Sequence, residues 1–238
     1  MRRFLILSGA ALAVACASHQ QQAVKLDDSG LARLDEQQMQ PVDDARIEQG
    51  RAQDALARAR ANEADARARL EVAKSDRNVA DAQYKRALAE RDLLKKQYAS
   101  PDQLAPVEQD IAASQDRIKA ADLKLQYVQQ MIAVSESERK VAEAHVNTTA
   151  AMVEQAKYRA MKTNNVPQVA SANAGDIDGR VAQAESQEAA FQREAAERRT
   201  KAVDLYNRWQ QADLRSRSVA RPSTIPVPPP TAGQPTSH

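Results

Sequence analysis

Residues able to do chemistry are few. The chain has one cysteine, Cys16, and three histidines, His19, His145 and His238. A thiol can serve as a nucleophile, a metal ligand or a lipid acceptor, each given the right neighbours. One cysteine forms no intrachain disulfide, and one Cys with three scattered His lacks zinc-ligand spacing. There is no Gly-rich phosphate loop, no paired His and no second candidate beside Cys16. His145 falls one residue before the seam residue Val146, on a helix flank, and reads as a partly solvated side chain. Tyr84, Tyr98, Tyr127 and Tyr158 could stack on glycans, although Tyr84 and Tyr98 also occupy seam positions and read more simply as packing residues. The expectation is a protein that is no enzyme, with no cofactor and no metal.

The surroundings of Cys16 are more informative. Arg2 and Arg3 precede an uncharged, mainly apolar run of twelve residues, Phe4 to Ala15. That run is too short to span a bilayer as a helix and fits the apolar region of a secretory signal peptide. It ends Leu12-Ala13-Val14-Ala15-Cys16, which resembles the lipobox of bacterial lipoproteins, with Ala13 where the family usually has Leu. The resemblance implies removal of residues 1–15, a diacylglyceryl thioether on Cys16 and acylation (for example by palmitate) of its new amine. The first partner is then membrane lipid. Two or more chains make such an anchor stable, at ~0.8 kcal/mol per buried methylene. The alternative is an ordinary signal peptide cut after Ala13-Val14-Ala15, leaving a free thiol. In the family, Asp after the cysteine favours the inner membrane; Ala17 here implies the inner leaflet of a Gram-negative outer membrane, facing the periplasm, with surface exposure left open.

Composition sets the shape. Only 3% of the 238 residues are aromatic, whereas 47 are Ala and 28% are charged. Such a chain lacks the large side chains of an enzyme-sized core and suits long helices or coiled coils. Without Arg2 and Arg3 the basic and acidic residues balance at 32 each. That leaves no electrostatic footprint for nucleic acid.

Gly and Pro divide the chain beyond Ala15. Residues 16–28 read as the lipidated Cys and a polar tether. Residues 29–98 form a first helical region, in which Ser29 to Gln40 is a candidate short helix before a break at Pro41. Residues 99–106, with Pro101 and Pro106, are the expected turn, and 107–162 a second helix. Residues 163–179 have linker composition, 180–218 form a third helix, and 219–238 are a Pro-rich tail expected to be disordered or extended.

The long segments repeat every seven residues. Positions 45, 52, 59, 66, 73, 80 and 87 are all Ala, so Ala66 and Ala73 sit on one seam. The companion position carries Val42, Leu56, Leu70 and Tyr84, alternating with polar residues including Glu63. In the second segment Leu104, Ile111, Ile118, Leu125, Ile132, Arg139, Val146 and Val153 lie seven apart. This sustained pattern predicts a left-handed coiled coil, with an Ala seam facing an Ile/Leu seam. Val42 to Tyr98 and Leu104 to Ala160 each hold 57 residues. Equal arms with a short connection predict an all-α fold built on a long antiparallel hairpin of about 85 Å. Ser100 is the expected cap of the second arm, with Pro101 at its first position. Glu63 and Arg139 then fall within a turn of each other, either paired or separately solvated. The third helix carries Ile177, Val181, Phe191, Ala195, Ala202, Leu205 and Trp209 in a similar stripe. It is expected to lie along the lower hairpin as a three-helix bundle, with Phe191 and Trp209 in the core or, alternatively, docking a partner.

This outline implies a structural lipoprotein of the cell envelope: a spacer, tether or assembly scaffold. The alternatives are an accessory hairpin of an export or efflux machine, although no Gly- and Val-rich β segments flank the arms, or a regulator of a cell-wall enzyme. The expected partner is an envelope protein or peptidoglycan, and self-association stays open because the same seams can pair between chains. Pro226 and Pro228 to Pro230 could form a polyproline ligand or a spacer.

Overall fold

The computed structural model describes residues 26–170 and 172–219. Cys16, the signal-like segment and the Pro-rich tail lie outside them. The described chain is all-α and contains no strand. Three long helices, α1 (Glu36–Lys96), α2 (Pro101–Thr163) and α3 (Ala174–Val219), follow a 3-10 turn at Asp28–Arg33, and a second 3-10 turn, Pro167–Val169, joins α2 to α3. With 61 and 63 residues, α1 and α2 are each roughly 90–95 Å long at 1.5 Å rise.

Local chemistry sets the boundaries. Asp35 caps α1: its carboxylate accepts the Gln38 N–H at 2.9 Å, and the Gln38 side chain accepts the Asp35 N–H at 3.0 Å. Ser100 caps α2, and Gln103 reaches back to accept the Ser100 N–H at 2.8 Å. The prolines expected to break the helices do not. Pro41 and Pro106 each occupy the sixth helical position, so each removes one hydrogen bond just inside a helix start, facing the exposed residues Gln37 and Asp102. The turn is accordingly shorter than 99–106, only Gln97 to Ser100. The linker also shrinks, because Gly175 and Gly179 lie inside the first turns of α3.

Both α1 and α2 end in the same way. Tyr98 adopts φ 55° and Asn165 φ 54°. The Ala99 N–H donates to the Leu94 carbonyl and the Tyr98 N–H to Lys95. At the other end the Val166 N–H donates to Met161 and the Asn165 N–H to Lys162. These are Schellman motifs, and the apolar contact that accompanies them is Val166 with Met161.

The core is an extended seam plus a plug at each end. Ala52, Ala66, Ala73, Ala80 and Ala87 of α1 are buried against α2. At the tip Ala87, Val107 and Ile111 cluster with Tyr84, Leu88 and Leu94. At the base Leu26, Leu31, Val42, Tyr158, Met161, Val166, Val169 and Ile177 gather residues from every element. A Cβ on Gly30 would lie 3.0 Å from the Met161 sulfur, so the 3-10 turn is pressed directly on the buried end of α2.

α1 and α3 both pack along α2 and make no comparable contact with each other. The third helix packs on the hairpin as expected, and it does so through α2, which is shared by α1 and α3. α2 carries a second buried stripe, Ala113, Ala120, Val134, Ser137, Ala144 and Thr148, besides the stripe toward α1. α3 also runs further than the lower hairpin. Tyr206 lies against Tyr127, and Arg215 and Lys119 line one groove, so α3 ends level with about residue 115 of α2.

Candidate functional site

Among the described residues no group of His, Cys, Asp and Glu is placed to hold a metal ion. None of the described helices is long and apolar enough to cross a membrane. Polar and aromatic side chains nevertheless gather at four places along the rod.

The first is the base, where the described chain begins. Lys157 of α2 is buried, and its ammonium lies 2.7 Å from Asp28 and 3.0 Å from Glu154. Burial alone would depress this ammonium, but the hydrogen bonds to Asp28 and then Glu154 outweigh it and hold it above the ordinary lysine value. The other oxygen of Glu154 accepts the Leu26 N–H at 2.8 Å. The start of the described chain is thus tied to α2 through one carboxylate. Asp28 also lies 3.4 Å from Arg46 of α1, completing a polar clasp over a groove that Arg180 of α3 helps to line.

The second is mid-rod. Arg139 Nε donates to Glu63 Oε2 at 2.7 Å, and Arg67 donates to Glu63 Oε1 at 2.6 Å. Arg139 also donates to Glu143 at 2.7 Å. These bonds, Glu143 first and then Glu63, raise the Arg139 pKa further above its ordinary value. This stretch of α2 is polar in a second sense: Ser135 and Thr149 toward α1, and Ser137 and Thr148 on the second stripe, are buried. Each hydroxyl donates to the carbonyl four residues earlier, so no buried hydroxyl among these four is left without an acceptor.

The third is between α2 and α3. Tyr127, Tyr206 and Trp209 form a ring cluster: Tyr127 and Trp209 stack at 5.7 Å, and Tyr206 meets Trp209 edge-on at 5.6 Å. The Lys124 ammonium lies 5.9 Å from the Trp209 ring centroid. Nearer the base on the same interface, His145 Nδ1 is 3.2 Å from the Glu188 carboxylate.

The fourth is the tip. Tyr98 is 95% exposed and stands at the turn between α1 and α2. It is not the seam residue that heptad counting suggested, because α1 ends at Lys96 and the chain has already turned.

The seam residues separate into two groups. Ala66 and Ala73 are buried, whereas Leu56, Leu70, Ile118, Leu125 and Ile132 are half-buried. The deep positions of α2 toward α1 are largely the companion series, Val107, Ser114, Val128, Ser135 and Thr149. In the middle of the rod small residues thus hold many of the deepest positions and Ile118, Leu125 and Ile132 flank them, whereas Ile111 and Val153 are buried toward the ends. Phe191 and Trp209 are likewise half-buried rather than core residues. Sequence reasoning missed the buried Lys157 clasp and the sharing of α2. The latter has a visible signal, since Ala113, Ala120, Tyr127, Val134, Val141 and Thr148 also recur every seven residues.

No protein-family model, no curated protein and no solved structure matches this chain.

Proposed function

We propose that the chain is a lipid-anchored spacer and docking scaffold of the bacterial cell envelope, attached through acylated Cys16 and facing the periplasm from the outer membrane. The observation that carries this reading is the polarity of the rod. The chain enters at the base, where Leu26 is tied to Glu154 only ten residues after Cys16. The exposed Tyr98 turn stands at the opposite end of helices roughly 90 Å long. An anchor at one end and a projecting turn at the other hold a partner at a set distance from a membrane. That task needs stiffness, not bond chemistry, and long helices stapled by ion pairs supply it.

The test has two parts. Radioactive palmitate should label the native chain and leave Cys16→Ser unlabelled; equal labelling of both removes the anchor. A photo-crosslinking residue at position 98 should capture one discrete envelope component in cells, and the capture should fall sharply in Cys16→Ser. Equal capture from position 98 and from the half-exposed middle of α3 would argue against a tip-directed scaffold.

A further inference from the structure

Aromatic side chains are scarce in this chain, with eight in 238 residues, yet three meet at one place on the surface. A role in packing alone would bury them. Instead Tyr206 is 37% exposed and the neighbouring Val203 59%. They border a furrow of about 440 Å³ between α2 and α3, floored by Met131, Val134 and Ala202. Its two charged lining residues, Glu138 and Arg199, neutralise each other through bonds of 2.8 and 3.0 Å. The furrow is therefore apolar, aromatic-edged and without net charge.

We propose that this furrow binds the chain's own Pro-rich segment, Ile225-Pro226-Val227-Pro228-Pro229-Pro230. Three features of the chain select that occupant. The segment from Pro222 to Ser237 contains no charged residue, which matches a neutral apolar furrow. Its prolines favour the polyproline II conformation, the form that aromatic-lined grooves accept. A polyproline II segment makes no internal hydrogen bonds, so its carbonyls stay available to a furrow hydroxyl such as that of Tyr127.

The lengths also agree. α3 ends at Val219, thirteen residues or about 20 Å beyond Tyr206 at the furrow's edge. Seven extended residues, 220 to 226, reach about 22 Å, enough to reverse direction and return to the rings. A short tether of this kind holds its segment at an effective concentration on the order of millimolar, so a modest intrinsic affinity suffices. Docked there, the tail masks the largest aromatic surface of the rod until a competing ligand of the same chemistry displaces it.

Trp209 is the only tryptophan and packs on Tyr127 and Tyr206, which line the furrow, so its fluorescence reports on their surroundings. The full chain should show blue-shifted emission and an acrylamide quenching constant about twofold lower than a chain ending at Arg221. Changing Pro226, Pro228, Pro229 and Pro230 together to Ala should reproduce the truncated spectrum while far-ultraviolet circular dichroism stays unchanged. A synthetic peptide of residues 222–238 added to the truncated chain should restore the blue shift, and it should not do so in Tyr206→Ala. Identical spectra for full and truncated chains would overturn the proposal. So would a difference that disappears on hundredfold dilution, since the tail would then occupy a neighbouring molecule.

Discussion

Arg139 reaches across the hairpin to Glu63 at 2.7 Å, although 76 residues separate them. Both stand where the heptad pattern would otherwise place an apolar residue. Glu63 is only 8% exposed, and its two oxygens are divided between Arg139 and Arg67. A buried ion pair is weak evidence for stability but a good register marker, because any slip of the arms leaves a buried carboxylate without its guanidinium.

Glu63→Ala should therefore destabilise the hairpin by about 1–3 kcal/mol, less than a fully buried pair because Arg139 keeps Glu143. The double change Glu63→Leu with Arg139→Leu should restore or exceed wild-type stability in thermal unfolding. It should also loosen register, read as a broader distance distribution between spin labels at positions 61 and 147. A narrow, unchanged distribution in the double variant would show that the pair does not set the register.

Ala66→Leu and Ala73→Leu test the close approach of α1 and α2. Counting from Glu63 opposite Arg139, Ala66 lies level with Ser135 and Glu136 of α2. Ser135 is buried, so a Leu at 66 has no room and should cost about 1–3 kcal/mol at each site. Helix propensity is nearly the same for Ala and Leu, so lost helicity cannot mimic the effect. Unchanged melting of the double variant would refute close packing, and melting that rises with concentration would indicate association between chains.

Tyr98→Gly should stabilise the fold by roughly 1 kcal/mol. Tyr98 holds a left-handed backbone that favours glycine, and at 95% exposure it has almost no packing to lose. The change should raise the melting temperature while abolishing any capture of a partner by the tip. A lower melting temperature would mean that Tyr98 has contacts the turn depends on.

Lys157 gives a pH dependence with a definite sign. Its hydrogen bonds to Asp28 and Glu154 raise its folded value above the ordinary 10.5. The stability it contributes is thus complete below about pH 10.5 and is lost as pH climbs through the raised value. Lys157→Met should be less stable than wild type by about 1–3 kcal/mol between pH 7 and 10, because the largely buried Glu154 then faces a methyl group in place of its ammonium partner. The gap should narrow above that range. A gap that stays constant to pH 12 would exclude the ammonium as its source.

The hairpin was legible because its signal is long and local in kind: seven alanines at equal spacing and two arms of equal length. Glu63 and Arg139 were legible as the two breaks in those seams that the hairpin brings level. Other features depend on chemistry that periodicity does not carry. Pro41 and Pro106 looked like boundaries, yet near a helix start a missing N–H removes little. Tyr98 kept the heptad beat although the Schellman bonds had already ended α1. The second stripe of α2 was hidden by its composition, since Ala, Ser and Thr contrast weakly with a polar face. Lys157 was illegible because Asp28 joins it from far along the chain.

The rod does not have one thickness. From the base to about residue 115 of α2 it is three helices across, and beyond the end of α3 only two continue to the turn. Bending stiffness rises steeply with cross-section, so a sideways load on Tyr98 flexes the last twenty or so ångströms while the rest stays straight. The molecule is thus a stiff mast with a compliant end, and a sideways displacement of its turn is absorbed before it reaches the base.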